Sequence, residues 1–439
     1  MILAQFIVML AFILIGARIG GIGVGFAGGA GVVALALMGA TPGELPMQVI
    51  VFIMVVIYAV SAMQVAGGMD YLVNLTEKLL RSHPKYLAIL APFVTYMLTL
   101  MASTGQVSFA TMPVIVDVAK ENNIRPTRSL SVAVAGSLLG ITASPISAAV
   151  VFLSSELEGT GTGWGFIDLI LVSIPATFLG TMATAFFFLW WDRARGYDKL
   201  DRVPEYQRRL DEGKVKPPTH QARQLKSGAK LSVGIFISSL VIVLVYSILI
   251  SEKVGLISDP VMDAGQCRIS VMLLGAMLIL ILCKASPHAV ASSSVFKTGM
   301  TACACILGVA WLGTTFMTNH QEWIGKVAGD TLAGKPWLFA IVIVVASSLL
   351  YSQAASTKAL FPVALAIGVS PATVVACFPA TSALFILPNY PTLIAAVDLD
   401  DTGSTKLGHR IFDHPFLIPG LMATGLSVVF GFGLSSLMV

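Results

Sequence analysis

The chain has 439 residues, 56% of them hydrophobic and only 11% charged, with a formal net charge of +4. Soluble domains carry about 25% charged residues, so the composition excludes an ordinary soluble globule, and the small net charge argues against a nucleic-acid partner. Only helices and closed barrels satisfy their backbone in lipid, and apolar runs of about 20 residues, rather than ten-residue alternating strands, select helices. The chain therefore reads as an all-α polytopic membrane protein.

Loop charges set the sides. Between Asp192 and Lys230 stand eleven of the 27 basic residues against six acids, and Lys/Arg-rich loops stay cytoplasmic. With this segment inside, apolar spans near 2–17, 21–39 and 47–65 put the N-terminus and Glu44 outside and Arg18 at the first cytoplasmic turn. The first segment lacks a basic n-region and is expected to be a retained span rather than a signal peptide. The glycine run Gly20–Gly31 has a G-x-G-x-x-G-like spacing but lies in an apolar helix rather than after a strand, so close helix packing is expected of it, not nucleotide binding. The basic, amphipathic stretch Tyr71–Tyr86 is expected to lie in the membrane plane.

Simple counting fails next. Residues 86–102 are long enough to cross, but 107–119 make only about 20 Å of helix against a core of about 30 Å. The flanking loops Glu77–Lys85 and Lys120–Arg128 are both basic. A re-entrant hairpin over 86–119, with its tip at "ASTGQ" (Ala102–Gln106), lets both stay inside. Non-helical backbone at that depth is tolerated only where it lines a cavity or is buried in protein. A span over 128–152 follows, broken by "ITASPIS" (Ile141–Ser147), then an acidic external loop at Ser154–Gly163 and a span at 166–190.

Beyond the 191–230 linker, read as solvated, come spans near 231–250, 268–284 and 298–318, then an in-plane stretch at Asn319–Leu332. Residues 337–351 and 358–368 form a second hairpin (337–368) around "SQAAST", entering from outside. A broken helix at 371–397, interrupted by "LPNYPT" (Leu387–Thr392), and a last span complete the chain. At a constant offset of 249 residues Ser103, Ala110, Pro113 and Val114 align with Ser352, Ala359, Pro362 and Val363. Each half, 1–190 and 231–439, reads as three spans, a hairpin, a broken span and a final span. The two start on opposite sides, as inverted repeats do.

Two hairpin tips and two helix breaks brought together at mid-membrane would aim half-helix N-termini and free N–H groups into one pocket, a setting for anions. Hydroxyls add donors without a buried fixed charge. A small dicarboxylate is expected between Ser103, Thr104, Gly105, Gln106, Thr142 and Ser144 on one side and Gln353, Ser356, Thr357 and Asn389 on the other, with Lys358 neutralising a carboxylate. The alternative is that these hydroxyls bond their own helix carbonyls. Asp117 is expected at the cytoplasmic surface beside Lys120. The five cysteines are scattered, the six histidines sit in loops, and neither metal-ligand spacing nor an acid/base dyad lies in the spans, so no cofactor and no enzyme activity is expected.

Taken together, "GARIGGIG", "SAMQVAGG", "TEKLLRSHPKY", "ASPISAAVV", "ILGVAWLG", "YSQAA" and "HPFLIPG" resemble the anaerobic C4-dicarboxylate uptake (Dcu) family of bacterial inner-membrane carriers, closest to its A-type members, along almost the whole chain. The resemblance implies exchange of fumarate, malate or aspartate for succinate. It also implies membership of the ion-transporter superfamily, in which homodimers work by an elevator movement of a transport part against a scaffold, and paired Ser-Asn-Thr tips bind carboxylate and sodium. Here Ser103 and Thr104 precede Gly105 rather than framing an Asn, and the second tip reads Ser-Gln-Ala-Ala-Ser-Thr. The family pattern carries over to Ser103, Thr104, Gln353 and Ser356 but not to sodium ligands. The competing readings are a proton- or sodium-coupled carrier for dicarboxylates or acidic amino acids, and a channel; two symmetric sets of broken helices favour alternating access over an open pore.

Overall fold

The computed structural model describes residues 1–439 except 20–21, 46, 104, 216, 218–224, 251–255, 258, 333–334, 336, 351, 367, 388–389, 409–411 and 439. For some helical residues, among them Arg18, Gln106 and 321–332, it describes the backbone but not the side chain. Helices α1 (Ile2–Ile19), α2 (Gly23–Leu37) and α3 (Met47–Val65) follow the three expected spans. Gly67 then turns left-handed, at φ 89°, a conformation glycine adopts without a Cβ penalty. The corner bends α4 (Gly68–Ser82) by 68° from the end of α3. Leu72, Val73 and Leu80 of α4 are buried, while Glu77 and Arg81 form an ion pair on its charged side.

Helices α5 (Leu87–Ala102) and α6 (Gln106–Glu121) flank the first tip, and α7 (Pro126–Ala143) and α8 (Ala148–Gly159) flank the "SPIS" break. Then come α9 (Phe166–Arg195), the short α10 (Pro204–Asp211), α11 (Ala229–Leu249), α12 (Ala264–Leu282) and α13 (Pro287–Ser292). Helix α14 (Ser294–Leu332) loses helical geometry at His320 (φ −130°, ψ 19°), which separates the span from the stretch expected in the membrane plane. Helices α15 (Trp337–Leu350) and α16 (Gln353–Ala366) flank the second tip. The expected broken helix 371–397 differs most. Its first arm is only α17 (Pro371–Cys377), followed by a 3₁₀ turn over Phe378–Ser382 and non-helical chain to Tyr390, before α18 (Pro391–Leu399). The interruption therefore begins at Ser382–Ala383, several residues before "LPNYPT". Helix α19 (Leu417–Ser435) closes the chain. Among the described residues six helices are long and apolar enough to cross a membrane, or seven if the bent α3–α4 pair is one span.

Two packing groups emerge. Helices α1, α2 and α14 pack together and α3 packs on α11, α12 and α14, whereas α5, α7, α9, α17 and α19 form a second group. The glycine run belongs to the first: a Cβ added to Gly308 of α14 would stand 1.8 Å from the Gly25 carbonyl oxygen of α2. It thus brings two helices of one chain into backbone contact.

Contacts between loops sort them onto two faces. On one, Thr41 N–H donates to Asn319 Oδ1 (2.9 Å), Gly43 N–H donates to Thr315 Oγ1 (3.0 Å), and the Arg268 guanidinium lies over the Phe166 ring. On the other, Lys226 Nζ donates to the Val65 carbonyl (2.7 Å), Gln64 Nε2 to Ser294 Oγ (2.9 Å) and Arg193 to the Lys85 carbonyl (3.1 Å), while Arg81 pairs with Glu121. Each contact joins segments that the charge pattern places on a common side.

The linker departs from the solvated reading. Its first part docks on the loops after α6 and α18: Arg125 N–H donates to the Asp198 carbonyl, Asn123 bonds Asp201 twice, and Arg209 donates to the Asp401 carbonyl. Glu205 binds Lys406 (2.9 Å) and Arg209 (3.0 Å), and the Lys406 hydrogen bond above all holds its carboxyl down at about 2. A depressed carboxylate stabilises the docked state above its unfolded pKa of about 4.3 and loses that contribution as pH falls through the folded value.

Hydrogen-exchange protection of 197–214, corrected for intrinsic rates, is therefore expected to be flat from pH 8 to pH 5, and to drop in Glu205→Gln and in high salt, which screens exposed pairs. In the membrane core, Gly308→Ala is expected to destabilise by about 1–3 kcal/mol through overpacking, read as a lower melting temperature. Gly29→Ala, which meets nothing within 4 Å, serves as the neutral control.

Candidate functional site

The last two turns of α7 are where both halves meet. At the first tip Ser103 ends α5 in the left-handed region (φ 52°), its N–H donating to the Thr99 carbonyl at 2.8 Å. A Cβ added to Gly105 would lie 3.4 Å from Thr392 Cγ2 of α18, 3.6 Å from Ile141 Cδ1 and 3.7 Å from Ser137 Oγ of α7. At the second tip Ser352 caps α16, accepting the Ala355 N–H at 3.2 Å. Gln353 Nε2 donates to the Leu138 carbonyl of α7 at 2.7 Å. Thr142 Oγ1 and Ser382 Oγ share a hydrogen bond of 2.6 Å, and Ser382 Oγ lies 3.5 Å from the same Leu138 carbonyl.

The polar inventory of this turn is incomplete. Ser144 Oγ, Gln353 Oε1 and Thr392 Oγ1 are buried and have no hydrogen-bond partner. Leaving a buried polar group unmade costs about 1–3 kcal/mol, so three around one turn make it the candidate site. Four helices also start at the breaks: α6 and α18, in contact through Gly105 and Thr392, and α8 and α16, which pack together. Each N-terminus carries roughly half a positive charge. Ser147 Oγ accepts the Val150 N–H to cap α8, so hydroxyls neutralise only part of each helix start.

Of the expected residues, Gly105, Thr142 and Gln353 are brought to this turn directly, and Ser103 and Ser144 adjoin it. Ser356 and Thr357 donate to the Ser352 and Gln353 carbonyls one turn back, so their protons are engaged within α16. Lys358 is five positions from Gln353, about 140° round the helix, and faces elsewhere. It is 3% exposed, its Nζ lies 5.6 Å from the Phe152 ring centroid of α8, and it has no hydrogen-bond partner. Asp117 pairs with Lys120 at 3.2 Å, and Lys120 also binds Asp401. Thr104 and Asn389 lie outside the described residues, as does the side chain of Gln106. Three contributors escaped the sequence reading: Ser137, Ser382 and Thr392. The signal for Ser382 was "FPATS", a proline with hydroxyls inside an apolar run, the same chemistry as "ASPIS".

Apolar spans, interrupted helices from both halves, and a partly unsatisfied polar turn between them define a multi-pass helical membrane transporter rather than a structural bundle. The family model described as anaerobic C4-dicarboxylate membrane transporter matches residues 1–439, and the chain belongs to that family. It is 51% identical over 439 residues to the C4-dicarboxylate transporter DcuA of Escherichia coli (strain K12), covering 100% of each chain, and 50% identical over 433 residues to DcuA of Wolinella succinogenes, covering 98% of each. The fold resembles the crystal structure of the YdaH transporter of Alcanivorax borkumensis, with a TM-score of 0.58 at 14% identity over 87% of this chain and 84% of that one.

Replacing Gln353 by Ala removes the bond to the Leu138 carbonyl and is expected to raise the KM for substrate uptake about tenfold, equivalent to about 1.4 kcal/mol. Thr142→Ser is expected to keep near-normal uptake while Thr142→Val loses it, since only the former preserves the hydroxyl shared with Ser382. Radiolabelled uptake by cells with matched surface amounts of protein checks both.

Proposed function

We propose that this chain is a secondary carrier that exchanges C4-dicarboxylates, fumarate, malate or aspartate entering for succinate leaving, across the bacterial inner membrane by alternating access. The family supplies the substrate class, and the convergence of both tips and both breaks on the Leu138–Ser144 turn is the observation that carries the mechanism. In this reading α5–α6 and α15–α16 are re-entrant hairpins. The Arg81–Glu121 pair, which joins the end of α4, just ahead of the first arm, to the end of α6, supports the first. Support for the second is the cluster uniting Trp164 and Phe166 with Phe339, Leu365 and Val369.

Four helix starts aim partly positive ends and free N–H groups at the turn, donors that suit the two carboxylates of a dianion. One carboxylate would take the free N–H groups of α6 and α18, and the other those of α8 and α16. Thr392 and Ser144 hydroxyls add donors, and Gln353 Oε1 accepts a substrate hydroxyl or ammonium. Among the described residues no carboxylate side chain lines the turn, which favours exchange of anions over coupling to sodium or a proton.

The α5–α9 and α15–α19 group would then be the moving part. It abuts α3 through Ala102, Val107 and Ile146, which pack with Val55–Met63. In an elevator movement the α3 wall stays while tips and breaks pass it, within a homodimer held by the other helices. The basic face, with Lys85, Lys120 and Arg128, is cytoplasmic, and both termini are periplasmic.

The test is fumarate uptake into proteoliposomes. Entry is expected to require internal succinate, malate or aspartate and to be indifferent to ionophores. Full-rate entry into empty vesicles driven by a sodium or proton gradient would establish the coupled-uptake alternative instead. Lys358→Met is expected to slow exchange at least tenfold, with Lys358→Arg recovering part of the rate, because the ammonium buried beside Phe152 of α8 and Cys303 of α14 is a fixed cation inside the proposed moving part.

A further inference from the structure

A second polar pocket lies away from the substrate turn, at the basic face where α5 begins, α7 begins and α9 ends. Its volume is about 60 Å³, room for four or five water positions, the size of a phosphate group. Five cations line it, Lys85, Arg125, Arg128, Arg193 and Lys199, against two acids, Asp192 and Asp198. Ser129 and Tyr197 also line it, the rest of the wall is apolar, with Leu87, Ala88 and Leu189, and Phe188 carries the Arg128 guanidinium 4.5 Å above its ring. Immediately beside it α9 presents exposed Phe187 and Trp190, and Trp191 stacks under Arg195 at 4.0 Å. Such an aromatic and basic collar sits at headgroup level in a membrane.

Two polar atoms in this pocket lack partners. Ser129 is 1% exposed and its Oγ bonds nothing; Asp192 is held by Arg128 through Oδ2 at 3.1 Å, leaving Oδ1 buried and unpaired. The Arg125 guanidinium donates to the Thr127 hydroxyl at 3.2 Å and interacts electrostatically with Asp192 and Asp400. The pocket thus offers cations and one hydroxyl donor for an anion, and one carboxylate oxygen for a donor. Zwitterionic choline lipids carry no donor, and a bare phosphate leaves Asp192 Oδ1 unanswered. We propose that this pocket holds the headgroup of an anionic phospholipid bearing a free hydroxyl. The phosphodiester sits among Arg125, Arg128 and Ser129 Oγ, a headgroup hydroxyl donates to Asp192 Oδ1, and the acyl chains leave past Leu189 along α9. Bound there, the lipid ties α9 to the first turns of α5 and α7, the entry to the first hairpin.

The test uses delipidated full-length protein in detergent, with phosphatidylglycerol, phosphatidylethanolamine and phosphatidylcholine of identical acyl chains and with soluble glycerol 1-phosphate, read by thermal shift and native mass spectrometry. Phosphatidylglycerol is expected to raise Tm by several degrees more than the other two lipids and to survive as a bound adduct, while glycerol 1-phosphate does neither. Lys85→Gln with Lys199→Gln, both exposed positions, is expected to keep the lipid-free Tm and to lose at least half of the shift; Ser129→Ala gives an independent loss. An equal shift from phosphatidylcholine, or an undiminished shift in both variants, overturns the proposal. A full shift from glycerol 1-phosphate replaces the lipid by a soluble phosphate ester.

Discussion

The Leu138 carbonyl is the point on which the two halves of this protein depend. Helical backbone in a membrane satisfies itself, so helices interrupted in the interior must find partners elsewhere. Gln353, at the start of α16, reaches across to α7 of the first half and engages its own amide on the Leu138 carbonyl. Ser382 approaches the same oxygen and binds Thr142. In the opposite sense Gly105, from the first hairpin, sits against Thr392 at the start of α18. Neither half can complete its own breaks; each supplies the chemistry that the other exposes. A fold organised this way keeps backbone irregularity at one depth, and what is left unpaired there is available to a ligand.

Much of this was legible in the chain because lipid imposes coarse rules. Span length, proline and loop charge located helices α1, α2 and α3, the helix starts at both tips and the break before α8 to within a few residues. Helix α4 as a separate amphipathic element was legible from its charges, though the 68° corner before it turns at Gly67. The second break was misplaced because "LPNYPT" carries two prolines and draws the eye, whereas the helix already tightens to 3₁₀ at Phe378, where Pro379 withdraws a donor. Face-level information was the least accessible. Polar residues in one short segment look equivalent, but the helical period sends Gln353 to α7 and Lys358 to Phe152. Nor could composition tell a tethering loop from a docked one: the linker's charges read as solvation until Glu205, Lys406 and Arg209 are seen as a network.

That docking bears on how the proposed moving part holds together. Asp400 accepts from Thr402, Ser404 and the Thr405 N–H, fixing a tight turn after α18, and Thr127 donates to the Ser404 carbonyl. Lys120 joins Asp117 to Asp401. The far ends of α6, α7 and α18 are thereby one block, with 197–214 riding on it. Any displacement of the tips relative to α3 must carry this block along.

The unpaired polar groups of the turn give the exchange reading its physical content. Half-helix starts are fixed donors that cannot be protonated away, while α5, α7 and α15 end at the same breaks with the opposite sign. The turn therefore offers directed N–H groups and hydroxyls rather than a net charge. Moving these groups unsatisfied past the apolar α3 wall costs more than moving them with a ligand in place. On the proposed reading, obligatory exchange follows from that difference: a loaded site crosses with its donors engaged, and the carrier returns at an appreciable rate only when a second dicarboxylate takes the place of the first.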